Sequence, residues 1–161
     1  MGPMLFFFVL FFTLWLAVSA TAGEFTGQVV SVLDGDTIDV LHKKRPERIR
    51  LSGIDCPEKR QPFAQEAKDA ASALVLGKDV TVQMHGKDKN RRKLAEVVLS
   101  NGTKVNQMLV ADGWCWWYPK HAQNDRALKR LESEARTAKR GLWADPYPVP
   151  PWEWQKWRDR R

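Results

Sequence analysis

Residues 48–58, Arg-Ile-Arg-Leu-Ser-Gly-Ile-Asp-Cys-Pro-Glu, constrain the fold of this chain more than any other stretch. Ile49 and Leu51 alternate with Arg48 and Arg50. Because successive side chains of a β-strand point to opposite faces, a strand here places its apolar residues on one face and both arginines on the other. The pattern predicts a sheet with one buried face and one cationic face.

The strand, which we predict over Arg48–Ile54, ends in an acidic turn. Asp55 and Glu58 follow it, and Pro57 favours a turn because proline fixes φ and donates no backbone hydrogen bond. A second acidic turn, Asp34-Gly35-Asp36-Thr37, lies between two more strand-like runs. Arginines that can bind phosphate and carboxylates that can bind a divalent metal are therefore expected at one end of a small sheet.

The rest of the chain adds strands and helices that suit a small barrel. Alternating apolar residues predict strands over Phe25–Leu33, Thr37–His42, Asp79–Met84 and Leu94–Leu99. Apolar stripes at helical spacing predict helices over Pro62–Leu76, over Val105–Ala111 and from Asn124 or Asp125 to Ala138. Five short strands with three helices fit an α+β, mainly β fold, a five-stranded OB-fold barrel.

We divide the chain into three parts. Residues 1–22 carry no charged side chain, Met4–Ala17 is almost wholly apolar, and Ala20-Thr21-Ala22 offers small residues at a cleavage site, so we predict a signal peptide and a periplasmic or secreted protein. An uncleaved N-terminal membrane anchor is the alternative, because the apolar run approaches the roughly 17–20 residues that span a bilayer. Residues 23–143 form the barrel domain. Residues 144–161, a tail rich in proline and tryptophan, are expected to follow an extended path and to pack on the domain.

Net charge and cysteine content indicate what kind of partner the chain binds and in which compartment it folds. The chain has 26 Lys and Arg against 19 Asp and Glu, a net charge of +7, which favours nucleic acid or another polyanion as partner, although solubility alone would also account for it. In an exported protein, Cys56 and Cys115 are free to form a disulfide. That bridge would close a loop of roughly 60 residues and stabilise the fold by about 3–4 kcal/mol. The isolated histidines, His42, His85 and His121, are expected at the surface or in loops.

Two aspartates at the ends of neighbouring strands suggest a metal site. Asp36 and Asp55 would repel each other unless a cation lay between them. Ca²⁺ takes roughly six to eight oxygen ligands. Asp36, Asp55 and the backbone carbonyl of Cys56 would supply part of that set, and water and phosphate oxygens the rest. The competing interpretation makes Asp34 and Asp36 ordinary turn residues, since Asp-Gly is common in hairpins.

Three further side chains have the chemistry for phosphodiester cleavage. Glu58 could orient or deprotonate a water molecule that attacks phosphorus. Arg50 and Arg92 could clamp the phosphate and stabilise the charge that grows on its oxygens in the transition state. Taken alone, Glu58 would be read as an exposed loop carboxylate.

Basic and aromatic residues predict a substrate-binding surface. Lys89 and Arg91 belong to a basic loop, and Trp117 and Tyr118 to an aromatic block after the second predicted helix. We expect phosphate contacts from the loop and base stacking from the rings, from Tyr118 above all, because stacking tolerates any base. A solvated loop and aromatic core packing are the competing interpretations.

Together, these motifs resemble the thermonuclease family, the staphylococcal-nuclease-like fold. The resemblance covers about Phe25–Trp143 and rests on five ordered motifs: Asp34-Gly35-Asp36-Thr37, Arg50 through Glu58, Asp88 through Ala95, Val105-Asn106 with Leu109-Val110, and Gly141-Leu142-Trp143. The tail is similar to that of the exported bacterial branch. The resemblance implies an OB barrel and Ca²⁺-dependent hydrolysis of DNA and RNA that leaves 3′-phosphates and 5′-hydroxyls.

The resemblance also implies roles for particular residues. Asp36 and Asp55 would be metal ligands, Glu58 the base or water-positioning group, and Arg50 and Arg92 the phosphate-binding pair, with Arg92 acting on the leaving oxygen. The chain departs from the family pattern at three places: Cys56 replaces Thr or Ala, Asn90-Arg91 stands where Tyr-Gly is common, and the loop Glu58–Phe63 is short.

Three functions follow as hypotheses, of which the third is a structural or interaction domain anchored by Met4–Ala17. The first is an exported, calcium-dependent nuclease, which we expect to be a monomer. The alternative is a non-catalytic OB-fold module that binds nucleic acid without cutting it. Such a module could have lost a carboxylate, whereas Asp36, Asp55 and Glu58 are all present.

Overall fold

The structure is a computed structural model that describes residues 23–160. The predicted signal peptide, residues 1–22, lies outside the described residues. Within residues 23–160, no helix combines the length and the apolar character needed to cross a bilayer.

Five strands form a closed barrel, as the sequence predicts. The strands of the described chain are β1 (Glu24–Asp34), β2 (Thr37–His42), β3 (Arg45–Leu51), β4 (Ile54–Asp55), β5 (Asp79–Lys87), β6 (Lys93–Leu99) and β7 (Trp116–Trp117). The barrel order is β1-β2-β3-β6-β5, and β1 pairs with β5 to close it. All pairs are antiparallel except β3 and β6, which run parallel.

The third strand ends earlier than predicted. β3 stops at Leu51, because Gly53, at φ 75°, turns the chain in the left-handed region that favours glycine. Ile54 and Asp55 then form β4, which pairs with β7 outside the barrel so that Asp55 lies opposite Trp116. This small ladder brings the acidic turn next to the aromatic block.

Helices lie outside the barrel wall. Residues 23–160 form five α-helices: α1 (Ala64–Val75), α2 (Val105–Ala111), α3 (Pro119–Ala122), α4 (Arg126–Thr137) and α5 (Pro151–Arg158). Three of them match the predicted helices, and the carboxylate of Asp125 caps α4 by accepting the N–H of Leu128 at 2.9 Å.

The extended path predicted for the tail is wrong for residues 151–158. Pro151 is the first residue of α5, a position where the N–H that proline lacks would have no helical partner. The prolines therefore mark where the helix begins rather than excluding it.

A buried asparagine fixes the point at which the chain leaves the barrel. Asn106 of α2 is 3% exposed, and its amide donates to the carbonyls of Ser52 (2.9 Å) and Ala95 (3.1 Å). Its own carbonyl accepts the N–H of Val97 at 3.1 Å. Because β3 and β6 stop pairing after Leu51 and Ala95, this side chain replaces the missing ladder bonds just before the acidic turn.

The tail packs on the domain through aromatic residues. Trp116 and Trp143 are buried together with their ring centroids 5.1 Å apart, and Trp152 of α5 packs against the same cluster. The guanidinium of Arg136 covers the Trp143 ring at 3.9 Å. These contacts bring α5 close to the acidic turn.

Candidate active site

Arg50 connects the two acidic turns at the rim of the barrel. Its Nη2 donates to Asp55 Oδ1 at 2.8 Å and lies 3.0 Å from Asp36 Oδ2. Its Nη1 donates to the carbonyls of Leu51 (2.8 Å) and Ile54 (3.0 Å). The side chain is 11% exposed. One guanidinium therefore serves as the shared counter-ion of both aspartates, whose two negative charges it balances only in part, and it is itself fixed to the backbone.

Asp36 is fixed in the turn between β1 and β2. Its N–H donates to Asp34 Oδ1 at 3.1 Å, and the Thr37 hydroxyl donates to Asp36 Oδ1 at 3.3 Å. The backbone N–H of Cys56 donates to Asp36 Oδ2 at 2.7 Å. Because Cys56 directly follows Asp55, this bond joins the two acidic turns through the backbone as well as through Arg50.

Burial raises the pKa of both aspartates. The pKa of Asp55 is raised to about 6 by burial, against the opposing effect of Arg50, and the negative charge of Glu58 raises it further. Burial likewise raises the pKa of Asp36 well above its ordinary value; Arg50 lowers it, and the charges of Asp34 and Asp55 add to the rise. A cation in contact with both carboxylates would favour their charged forms.

The donor set at this position suits a hard divalent cation. Asp36 and Asp55 present carboxylate oxygens, the ligands that Ca²⁺ prefers, and these oxygens converge on one nitrogen of Arg50. In the described part of the chain, no three His, Cys, Asp or Glu side chains come together as a metal site. A cation bound here would therefore complete its coordination with backbone carbonyls, water and phosphate oxygens.

Glu58 lies on the turn after β4 and contacts the C-terminal helix. Its Oε1 accepts a hydrogen bond from Gln155 Nε2, and its Oε2 accepts one from Arg158 Nη1 at 3.0 Å. Its backbone N–H donates to Gln61 Oε1 at 2.9 Å. The side chain remains 25% exposed. Both oxygens of the predicted base are thus held by α5.

Arg92 is oriented by Asp88. Oδ2 of Asp88 accepts from Arg92 Nε at 2.7 Å, while Oδ1 accepts the backbone N–H groups of Asn90 (2.9 Å) and Arg92 (2.8 Å). Burial acts to raise the pKa of Asp88, but the hydrogen bonds from Arg92 outweigh it and the pKa is lowered. The charged carboxylate therefore fixes one edge of the guanidinium.

A cleft of about 820 Å³ lies beside these groups. Five of the predicted site residues line it: Arg50, Asp55, Lys89, Arg92 and Tyr118. Asp36 lies beneath this wall, in contact with Arg50. Glu58 does not line the cleft, whereas Gln155 and Arg158, which donate to its carboxylate, do.

The structure separates the predicted substrate-binding residues. The ring of Tyr118 is stacked on His121 with centroids 4.9 Å apart and lies 5.3 Å from the ring of Trp152, so it faces the cleft within an aromatic group. Trp117 does not line the cleft; its indole N–H donates to the Ala122 carbonyl at 2.9 Å. The ring is partly buried against the core, so Trp117 lies away from the cleft, and its predicted contact with a base stays a prediction.

Arg91 is also displaced from the site. Arg91 is exposed and lies outside the lining of the cleft. Its backbone, with φ 62°, is part of the tight turn that follows Asp88. The same turn leaves Lys89 on the cleft wall. Loop conformation, which charge alone does not predict, decides which basic residues face the cleft.

Cys56 and Cys115 are joined in a disulfide that connects the acidic turn to the segment before β7. The bridge also limits the neighbouring turn. A Cβ at Gly35 would lie 2.8 Å from Cys56 Cβ, closer than real Cβ contacts come, and 3.0 Å from Ala67 Cβ, which is a tight contact. Position 35 therefore requires glycine because of close approach, and this packing fixes the backbone just before Asp36.

The sequence did not reveal the residues that surround the predicted catalytic groups. Asp88, Gln61, Trp152, Gln155 and Arg158 all contact or line the site in the structure. The tryptophan-rich composition of the tail indicated that it packs on the domain. Composition does not specify which residues a segment contacts, so only the tertiary structure identified the contact between α5 and Glu58.

Comparison with known proteins agrees with this geometry. Residues 48–145, more than half of the chain, match the family described as Staphylococcal nuclease homologue. The chain is 44% identical over 147 residues to an Escherichia coli O157:H7 protein named Uncharacterized endonuclease, covering 91% of this chain and 94% of that protein. It is 39% identical over 156 residues to Protein ParB of Escherichia coli, covering 91% and 88%.

A further relative carries the name Micrococcal nuclease, from Shigella flexneri, and is 35% identical over 151 residues, covering 88% of this chain and 87% of that protein. These similarities extend along nearly the whole length of each protein. The region matched by the family contains Arg50, Asp55, Glu58 and Arg92. By the match of residues 48–145 and by similarity to these relatives along nearly their whole length, the chain belongs to the staphylococcal nuclease homologue family.

Proposed function

We propose that this protein is an exported, Ca²⁺-dependent nuclease that hydrolyses phosphodiester bonds of DNA and RNA and leaves 3′-phosphate products. The observation that carries the proposal is the convergence of Asp36 and Asp55 on Arg50, beside a cleft that Arg92 also lines. Similarity to proteins named endonuclease and micrococcal nuclease supports the reaction class. The uncharged, apolar N-terminal stretch supports export.

Asp36, Asp55 and the backbone carbonyl of Cys56 are the groups that would hold the ion. Bound Ca²⁺ supplies positive charge beside the scissile phosphate. Arg50 Nη2 has the same two carboxylates as its partners. A cation bound by these carboxylates would take over their pairing with Nη2. Nη2 could then donate to a phosphate oxygen instead.

Glu58, Arg50 and Arg92 divide the remaining chemistry. A water oxygen bonds to phosphorus as the bond from phosphorus to the 5′ oxygen breaks; one proton of the water passes to Glu58, and the 5′ oxygen takes up a proton from solvent to leave as a hydroxyl. The two arginines donate to phosphate oxygens whose negative charge grows in the transition state, so their hydrogen bonds strengthen there more than in the bound substrate. Arg92 stabilises the leaving oxygen. Lys89 and Tyr118 contact the neighbouring phosphate and base.

The test is digestion of single- and double-stranded DNA and of RNA by the protein expressed with its own N-terminus. We expect cleavage with Ca²⁺, no cleavage with excess EGTA, 3′-phosphate ends, and a mature protein in the periplasm or medium that begins at Gly23. Glu58→Gln should lower kcat by about 10²–10⁴-fold while binding survives. Folded wild-type protein that binds nucleic acid with Ca²⁺ but leaves it intact would support the non-catalytic binding module instead.

A further inference from the structure

The helix α5 meets Glu58 through two side chains. Gln155 donates to one carboxylate oxygen and Arg158 donates to the other, at 3.0 Å. The two residues are three positions apart, so they lie on the same face of the helix. The contact joins segments that are 97 and 100 residues apart in the chain.

Contacts that do not involve the Glu58 carboxylate hold α5 in place. Gln61, which is 5% exposed, donates from Nε2 to the carbonyl of Val149 at 2.6 Å. Pro151 is buried, and the ring of Trp152 lies 5.3 Å from that of Tyr118. The hydrogen bond from Gln61 to the segment just before the helix and the aromatic packing hold α5 at the cleft independently of the Glu58 carboxylate.

Gln61 also connects the tail to the turn that carries Glu58. While its Nε2 donates to Val149, its Oε1 accepts the backbone N–H of Glu58 at 2.9 Å. One buried amide therefore fixes the backbone of Glu58, and two side chains of α5 fix its carboxylate. The backbone and the side chain of Glu58 are both oriented by the tail.

We propose that Gln155 and Arg158 are positioning residues, which hold the Glu58 carboxylate in the orientation that serves the reaction. The proposal rests on the role of Glu58 in the proposed function. A glutamate has several rotamers, and two donors on its two oxygens restrict them. A carboxylate has about four lone-pair sites, so two donors leave acceptor capacity for a water molecule. The side chain is 25% exposed, which leaves water access to it.

The first arm of the test compares kcat and KM of single variants on a short DNA duplex. Arg158→Ala should lower kcat by about 10–100-fold, with KM within about twofold, because a displaced base slows the reaction without weakening substrate binding. Gln155→Ala should act in the same direction, and Arg158→Lys should restore part of the rate. The side chain of Arg158 is 60% exposed, so the fold should tolerate its loss, which urea denaturation checks.

The matched control is Lys156→Ala. This change removes the same charge from the same helix, but Lys156 pairs with Glu153 at 2.8 Å rather than with Glu58. We expect its kcat and KM to stay within about twofold of wild type, since a single exposed ion pair contributes little. An equal loss in both variants would mean that charge alone matters and would overturn the positioning role.

The second arm repeats Arg158→Ala in the Glu58→Gln background. If Arg158 acts through Glu58, the double variant should be no slower than Glu58→Gln alone, because residues that act as a unit are not additive. A further loss there, or a raised KM, would assign Arg158 to the substrate and overturn the proposal. A kcat for Arg158→Ala at or above wild type would also overturn it.

The two proposals fail in different ways. An inactive wild-type protein, or a Glu58→Gln variant with full activity, would overturn the proposed function and the positioning role together. An active wild type that loses its activity in Glu58→Gln but not in Arg158→Ala would overturn the positioning role alone.

Discussion

The Arg50–Asp55 ion pair lies at the centre of the site, with Arg50 Nη2 donating to Asp55 Oδ1 at 2.8 Å. The side chains are 11% and 16% exposed. Asp36 shares the same nitrogen at 3.0 Å. One arginine is therefore the shared counter-ion of two carboxylates that would otherwise be buried without one, and we expect both the stability of the fold and the chemistry to depend on it.

Arg50→Ala should destabilise the metal-free protein by about 3–5 kcal/mol and abolish cleavage, because it leaves buried carboxylates without their partner. Urea denaturation with and without Ca²⁺ measures this. Arg48→Ala is the matched control, since Arg48 lies on the same strand face and pairs with Asp39 at the surface. A much smaller loss is expected there; comparable losses in the two variants would contradict the central role of Arg50.

The stabilisation by Ca²⁺ should increase from pH 5 to pH 7. Burial raises the pKa of Asp55 from 3.8 to about 6, so the native metal-free protein binds this proton more tightly than the unfolded chain does. In the metal-free protein, the contribution of this carboxyl to the free energy of unfolding is therefore full below about pH 4 and is lost as the pH rises through about 6.

Ca²⁺ binds the charged form of the Asp55 carboxyl and must displace its proton at low pH. Below about pH 6, each displaced proton should therefore lower the Ca²⁺ affinity about tenfold for each pH unit. Calorimetric titration with Ca²⁺ at pH 5, 6 and 7 measures the affinity directly. An affinity that is equal at pH 5 and pH 7 would show that Asp55 is not a ligand.

Gly35→Ala should destabilise the protein by about 1–3 kcal/mol, because the added Cβ would lie 2.8 Å from Cys56 Cβ. The strain falls between Asp36 and the turn of Asp55, so Ca²⁺ affinity should fall as well. Gly77→Ala serves as a comparison, since a Cβ at position 77 meets nothing within 4 Å. Any loss of stability in that variant comes from the backbone angle, φ 76°, instead. Of the two variants, Gly35→Ala alone should weaken Ca²⁺ binding.

Reduction of the Cys56–Cys115 disulfide should lower the free energy of unfolding by about 4 kcal/mol in the chain-entropy model, given a sequence separation of 59 residues. Because the N–H of Cys56 holds Asp36, loosening this turn should also lower activity. The measurement is urea denaturation and cleavage for Cys56→Ser/Cys115→Ser beside wild type. Unchanged unfolding midpoints would show that the bridge does not contribute to stability.

Tyr118→Ala should raise KM for single-stranded DNA by about 5- to 150-fold, the equivalent of about 1–3 kcal/mol of base stacking. Tyr118 lines the cleft, whereas Tyr147 is 85% exposed and lies outside that lining. Tyr147→Ala should therefore leave KM unchanged. If kcat alone falls in Tyr118→Ala, the ring would serve to align the reacting groups rather than to bind a base.

The alternation of apolar and polar residues predicted the barrel correctly, because a strand with one buried face repeats its pattern every two residues. Ile49 and Leu51 are buried while Arg48 and Arg50 lie on the other face, as their alternation requires. The helix at Val105–Ala111 follows from its apolar stripe in the same way. The predicted end of β3 was wrong because the chain turns at Gly53, and Ile54 then pairs with Trp117, a residue far along the chain that local pattern does not reveal.

The sequence by itself determined which chemistry the chain contains: two acidic turns, two arginines, an aromatic block and a barrel pattern that brings the turns to one end. Only the tertiary structure decided how these groups are used. Arg50 binds both aspartates, Tyr118 rather than Trp117 faces the cleft, and α5 holds Glu58. The physical reason is that periodicity reports which face of an element is buried, whereas partners are chosen by packing between segments up to 100 residues apart.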